Sequence, residues 1–117
     1  MKKILVVDDN EALLAMLKEL LELKGFSVQL LSAGSAVLDA VIDERPDLVL
    51  LDILLGRENG ADICRSIKED PRTCHVPVMM MSALDQPMSW MGMAPDGFVA
   101  KPFDIAVLLT EIRSFAA

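Results

Sequence analysis

The chain of 117 residues has few cysteines and no long apolar run. Cys64 and Cys74 lie in unrelated local settings, so they form neither a disulfide framework nor a metal-ligand motif. We expect reduced thiols in a cytosolic protein. The first apolar run, residues 4–7, is ended by aspartates and is far too short for a signal peptide or a membrane span. The sequence therefore predicts a cytoplasmic protein that does not insert into a membrane.

Basic residues are also scarce, with 11 Lys and Arg against 18 Asp and Glu, for a net charge of -7. Such a field repels phosphate backbones, so we expect no direct nucleic-acid binding. The composition, 53% hydrophobic and 25% charged, is typical of a globular chain. Domains contain roughly 100 to 200 residues, and no linker or repeat interrupts the sequence, so we expect one domain over residues 1–117.

Short apolar runs alternate with segments of helical periodicity along the whole chain. Five strands are predicted, at residues 4–7, 27–31, 48–51, 76–81 and 97–100. Helices are predicted after Asn10, at 36–42, at 61–68 and at 105–115, with Gly25 ending the first. This alternation predicts an α/β fold, a doubly wound five-stranded parallel sheet with right-handed crossovers.

The segment 85–96 is where a fourth helix belongs between the last two strands. Pro87, Gly92 and Pro95 interrupt any continuous helix there, so we expect a short or irregular one. A cluster of large apolar side chains falls in the same segment, consisting of Met88, Trp90, Met91 and Met93. Two interpretations stay open for it, filling of the core or an adaptable docking surface.

Polar side chains follow four of the predicted strands where each strand ends. They are Asp8, Asp9, Asp52, Ser82 and Lys101. Singly, each is compatible with a helix cap, a turn or a solvated strand end. Parallel strands bring their carboxyl ends to one edge, where ligands of doubly wound sheets bind. Clustered carboxylates repel one another unless a cation neutralises them, and Mg²⁺ prefers such oxygen ligands.

A carboxylate beside such a metal can attack phosphorus and form an aspartyl phosphate. Lys101 and Ser82 would then hold the phosphoryl oxygens, by charge and by hydrogen bond respectively. The same motifs, in order, are VVDDN at 6–10, LLDILL at 50–55 with Gly60 eight positions after the aspartate, MSA at 81–83 and AKPF at 100–103. Together they resemble the receiver domains of bacterial two-component response regulators, over the whole chain. The resemblance implies a flavodoxin-like strand order of 2-1-3-4-5.

The resemblance also implies a role for each site residue. Asp52 matches the phosphoacceptor, which takes its phosphoryl group from a phosphohistidine on a sensor histidine kinase or a histidine phosphotransfer protein. Asp9 matches the direct Mg²⁺ ligand and Asp8 its water-mediated companion, with Asp52 as a further ligand. Leu54 matches the position whose backbone carbonyl completes the metal shell.

Two further positions match the conformational switch of that family. Ser82 matches the switch hydroxyl, and Phe98 the aromatic residue three positions before Lys101, the lysine that pairs with the phosphoryl group. We expect both to transmit the charge change to the face built from the last two strands and the helices that follow them, which would bind a downstream protein target.

Three alternatives compete with this reading. A haloacid-dehalogenase-type phosphatase wants a second acid two residues after its nucleophile, where this chain has Leu54. A flavodoxin-like electron carrier needs a phosphate loop after the first strand, where Asp8 and Asp9 would repel phosphate. The third alternative is a degenerate receiver that acts as a phosphorylation-independent interaction module. We expect no turnover enzyme, but a phosphoacceptor switch that catalyses only its own phosphoryl transfer and slow self-dephosphorylation.

The rate of self-dephosphorylation is a first testable prediction. Leu54 and Leu84 stand two residues past the acceptor and two past the switch hydroxyl, and neither can orient an attacking water. The phosphorylated chain should therefore hydrolyse slowly, and Leu54→Asn should shorten its phosphoryl half-life. A half-life that is short in the wild type and unchanged in Leu54→Asn would contradict the prediction.

Overall fold

The computed structural model describes residues 1–55, 58–82, 96–101 and 104–116. The strands are β1 (Lys3–Val7), β2 (Ser27–Leu31), β3 (Leu48–Asp52), β4 (Leu54–Leu55), β5 (Glu58–Asn59), β6 (Val78–Ser82) and β7 (Gly97–Ala100). The α-helices of this part are α1 (Glu11–Leu23), α2 (Val37–Glu44), α3 (Gly60–Glu69) and α4 (Ile105–Ala116), with a 3₁₀ turn at Gly34–Ala36.

Five strands form one parallel sheet in the order β2-β1-β3-β6-β7. Numbered along the chain, the five long strands have the order 2-1-3-4-5, so the predicted doubly wound, flavodoxin-like α/β fold is confirmed. The sequence did not predict β4 and β5, which form a two-stranded antiparallel hairpin between β3 and α3.

The sheet is covered by helices on both faces. Leu48 and Leu50 of β3 pack into one core with side chains of α1 and α4. Val49 and Leu51 of the same strand pack into a second core with side chains of α2 and α3. Alternate strand residues therefore point to opposite cores, which explains why the central strands appear in the sequence as continuous apolar runs.

Individual residues explain where α1 begins and ends and where β6 begins. The Asn10 side chain accepts a hydrogen bond from the Leu13 backbone N–H at 3.1 Å and so caps α1. Gly25 adopts φ 94° just after that helix ends, as predicted. The fourth predicted strand begins later than expected, at Val78, because Pro77 has no N–H to donate to the sheet.

The predicted irregular fourth helix and its methionine and tryptophan cluster lie outside the described residues, of which only Asp96 belongs to that segment. None of the helices in the described part of the chain is both long enough and apolar enough to cross a membrane.

A buried threonine completes the carboxyl end of α3. The Ile67 carbonyl would ordinarily accept from the N–H of residue 71, but that residue is Pro71 and has none. The hydroxyl of Thr73, a fully buried residue, donates to this carbonyl at 2.7 Å instead. The loop between α3 and β6 is therefore anchored to the helix by a side chain.

Thr73→Val should lower the free energy of unfolding by about 1–2 kcal/mol, because it leaves the Ile67 carbonyl without a donor. Thr110→Val is the matched control, since the Thr110 hydroxyl bonds an exposed helical carbonyl, Ala106 O, at 2.9 Å. Urea denaturation of both variants measures the difference. Equal losses in the two variants would contradict the anchoring role of Thr73.

Candidate functional site

The strand register brings the predicted site residues to one edge of the sheet. Val7 lies beside Leu51, so Asp8 and Asp52 extend neighbouring strands. Asp52 lies beside Met81, and Ser82 beside Ala100, the residue before Lys101. The ends of β1, β3, β6 and β7 therefore meet at the carboxyl edge.

Three carboxylates cluster at this edge. Oxygens of Asp8, Asp9 and Asp52 all lie within 4.8 Å of one another. Asp8 is fully buried and Asp52 is 7% exposed, whereas Asp9 faces solvent. Two of the three charges are therefore held away from water, where an uncompensated charge is costly.

Backbone hydrogen bonds fix Asp8 at the end of β1. Its Oδ1 accepts from the Asn10 N–H at 2.9 Å, and its own N–H donates to the Leu31 carbonyl of β2 at 3.1 Å. Asn10, whose side chain caps α1, comes directly after Asp8 and Asp9 in the chain. The start of the helix and the position of the carboxylate are set by the same turn.

Lys101 supplies the counter-charge. Its Nζ donates to Asp8 Oδ2 at 2.6 Å and to Asp52 Oδ2 at 3.3 Å. Burial disfavours the charge on this ammonium, but the hydrogen bond to Asp8 and the charge of Asp52 outweigh burial, so the pKa of Lys101 is raised. Three carboxylates and one ammonium give the site a formal charge of -2.

A glycine holds the loop after Asp52 against its strand. The Gly60 N–H donates to the Ile53 carbonyl at 2.7 Å. A Cβ at Gly60 would lie 2.2 Å from the Asp52 carbonyl oxygen, a distance that real side chains do not reach. The spacing of eight residues between Asp52 and this glycine thus reflects a close backbone approach.

Sequence reasoning missed a second contact that holds this loop. Glu58 of β5 accepts a hydrogen bond from the backbone N–H of Gly34 at 2.9 Å through its Oε1. Gly34 is buried and lies 24 positions earlier in the chain. No local pattern predicts such a contact, because its two partners meet only after β2 and β3 have taken their places.

The remaining predicted residues lie at or near the same edge. Ser82 ends β6, and Leu54 begins the short hairpin two positions after Asp52. Phe98 of β7 is half-buried, pairs with Met80, and packs against the core shared with α2 and α3. Ser82 and Phe98 therefore lie on the two neighbouring strands, β6 and β7, that end at the carboxyl edge, and Leu54 follows Asp52 by two positions.

The chemistry of the donor set fits a small divalent cation. Carboxylate oxygens are the ligands that Mg²⁺ prefers, and the residual charge of the cluster attracts it. The oxygens of all three aspartates are close enough to share one ion. Fold and site together thus define a flavodoxin-like α/β protein with an acidic, lysine-paired site at the carboxyl edge of its sheet.

Comparison with known proteins agrees with this class. Residues 4–113 match the family described as response regulator receiver domain. The transcriptional regulatory protein CpxR of Escherichia coli is 36% identical over 97% of this chain and 49% of its own length. The BeF3-activated N-terminal receiver domain of Klebsiella pneumoniae RstA has a TM-score of 0.88 at 26% identity, covering 97% of both chains. Vibrio cholerae chemotaxis protein CheY4, at 21% identity over 98% of both chains, shares the fold with a TM-score of 0.90.

The chain therefore belongs to the response regulator receiver domain family. It spans about half the length of curated relatives that it matches, namely 49% of CpxR and 48% of the RpaA regulator of Synechocystis.

Removing the ammonium should expose its electrostatic role. Lys101→Met should lower the free energy of unfolding at pH 7 by about 2 kcal/mol or more, because the buried Asp8 loses its counter-charge. Because the pKa of Lys101 is higher in the folded than in the unfolded protein, the protonated side chain stabilises the fold below the unfolded pKa of about 10.4. This contribution is lost as the pH rises through the pKa of the folded state. The difference between wild type and variant should therefore shrink at strongly alkaline pH.

Urea unfolding across this pH range measures the difference. Lys24→Met, which removes an exposed ammonium elsewhere, is the control and should stay close to wild type throughout. A Lys101→Met variant as stable as the control at pH 7 would contradict the role assigned to Lys101.

Proposed function

We propose that the chain is a phosphorylation-activated receiver of a two-component phosphorelay, in which Asp52 accepts a phosphoryl group from a phosphohistidine. The donor would be a sensor histidine kinase or a histidine phosphotransfer protein in the cytoplasm. One observation carries the proposal: the Asp52 carboxylate accepts a hydrogen bond from Lys101 and lies within 4.8 Å of carboxylate oxygens of Asp8 and Asp9 at the carboxyl edge.

In the transfer step, an oxygen of Asp52 attacks the phosphorus of the donor. The new O–P bond forms as the N–P bond to the donor histidine breaks, and the histidine nitrogen leaves with the electron pair. The Lys101 ammonium, now between Asp8 and Asp52, would stabilise the charge on the phosphoryl oxygens. Ser82 would donate a hydrogen bond to the same group.

Asp8, Asp9, Asp52 and the Leu54 backbone carbonyl would hold Mg²⁺. The bound ion would neutralise negative charge that the acceptor and the incoming phosphoryl group bring together. Without it, Asp8 and Asp9 would repel the donor phosphate, since only one ammonium offsets three carboxylates. The fully buried Asp8, fixed by the Asn10 N–H, would orient the rest of this ligand set.

The signal would leave the site along β6 and β7. Phosphorylation places new negative charge beside Lys101, and Ser82 and Phe98 would respond on the strands that end there. The two strands are hydrogen-bonded neighbours, with Met80 paired to Phe98 and Ser82 to Ala100. The phosphorylated state would thus favour one arrangement of the adjoining face, which a downstream protein recognises.

The solved relative supports this proposal. The RstA receiver domain was crystallised in a BeF3-activated form. RstA and this chain have the same fold over 97% of both chains.

Incubation with acetyl phosphate and Mg²⁺ tests the acceptor directly. The wild type should gain the mass of one phosphoryl group, and Asp52→Asn should gain none, because an amide cannot form the acyl phosphate. Asp43→Asn, which replaces an exposed carboxylate on α2, is the matched control and should be phosphorylated like the wild type. Intact-mass spectrometry reads all three, and a chelator should abolish the reaction.

Two outcomes would contradict the proposal. Equal phosphorylation of wild type and Asp52→Asn would place the acceptor elsewhere. Phosphorylation of neither protein, by acetyl phosphate or by a phosphorylated histidine donor, would favour the degenerate receiver, the interaction module that works without phosphorylation.

A further inference from the structure

The sheet carries a second concave feature at its amino edge, opposite the acidic site. A cavity of about 640 Å³ lies where β1, β3 and β6 begin. Its volume is in the usual range for small-molecule sites, roughly 300–1,000 Å³. Four basic residues line it, namely Lys2, Arg45, Arg72 and His75.

These basic groups are concentrated at one cavity although the chain as a whole has a net charge of -7. Within the described part, no carboxylate forms an ion pair with Lys2 or Arg45. The Arg72 guanidinium is already paired with Asp70, through its Nη2 at 2.8 Å and its Nε at 3.1 Å. Asp47 is the one carboxylate that lines the cavity, and its Oδ2 accepts from the Lys3 backbone N–H at 2.8 Å. The cavity therefore retains unpaired positive charge.

Arg45 occupies its place at a conformational cost. It ends α2 in the left-handed region, with φ 50° and ψ 58°, and is the only non-glycine residue with positive φ among those described. Glycine or asparagine ordinarily takes this position, because a Cβ is unfavourable there. A cationic side chain therefore stands at a helix end that glycine would occupy more easily.

Apolar groups form the rest of the wall. They are Val41, Ile42, Pro46, Val76, Pro77 and Phe115. Gly97 makes room for the aromatic ring, since a Cβ there would lie 3.0 Å from Phe115 Cε2. The cavity therefore combines cationic side chains with an aromatic and aliphatic surface, which suits an anion attached to a planar organic group.

We propose that this cavity binds a nucleoside monophosphate, with the phosphate held by Lys2 and Arg45 and the base against the wall that contains Phe115. Charge-assisted hydrogen bonds from guanidinium groups suit phosphate oxygens. The site is independent of the acceptor Asp52, so it stands or falls separately from the proposed phosphorelay function.

Isothermal titration with adenosine monophosphate tests the proposal, in buffer with a chelator so that the acidic site cannot bind the probe through a metal. The double variant Lys2→Gln/Arg45→Gln should weaken binding by about tenfold or more. Lys24→Gln/Arg113→Gln removes the same charge from exposed positions outside the cavity and should bind like the wild type. Inorganic phosphate and adenosine alone should each bind at least about tenfold more weakly than the nucleotide.

A further variant separates loss of the ligand from loss of the fold. Arg45→Gly should raise the midpoint of thermal unfolding by about 3 °C, because glycine relieves the left-handed strain, while it weakens nucleotide binding. The proposal is overturned if the Lys2→Gln/Arg45→Gln variant binds adenosine monophosphate as tightly as wild type. It is also overturned if inorganic phosphate binds as well as the nucleotide, or if no binding occurs at concentrations on the order of 10 mM.

Discussion

The acidic edge of this protein depends on one ammonium group. Asp8 and Asp52 extend neighbouring strands and are both nearly inaccessible to water, so their ionised forms repel each other across the sheet. Lys101 donates to both carboxylates. Because Lys101 follows β7, two strands away from β3, its charge reaches the pair only when the sheet has assembled in the observed order. The strand order therefore positions the Lys101 ammonium, and the ion pairs that Lys101 forms stabilise the sheet in that order.

Parallel strands give the two edges of the sheet different chemistry. Every strand delivers its last residues to one edge, where the carboxylates accumulate, and its first residues to the other, where Lys2, Arg45 and His75 lie. The Asp52 side chain, which is 7% exposed, lies at the carboxyl edge. A ligand at the amino edge would not contact it, so the proposed site there is separate from the acidic cluster.

The sequence predicted the five strands of the main sheet and the residues at their ends from local pattern, and the resemblance carried by its motifs implied the strand order. It did not predict the hairpin of β4 and β5. It predicted the residues that meet at the acidic edge, Asp8, Asp9, Asp52 and Lys101, but not the contacts that hold the surrounding loops. The Glu58 side chain reaches Gly34 across 24 positions. Such a contact joins two segments that are distant in sequence. Nothing in the local pattern around Glu58 or Gly34 indicates that the two residues will meet.

What the sequence alone determined is therefore the class of fold and the identity of the groups available for chemistry. Apolar periodicity and turn residues act over a few positions, so they can be read along the chain. Tertiary structure alone decided that Lys101 reaches Asp8 at 2.6 Å, that Gly60 lies against the Asp52 carbonyl, and that basic side chains border a cavity at the opposite edge. Each of these depends on the register of strands that are distant in sequence, and register is set by the packing of the whole sheet between its two layers of helices.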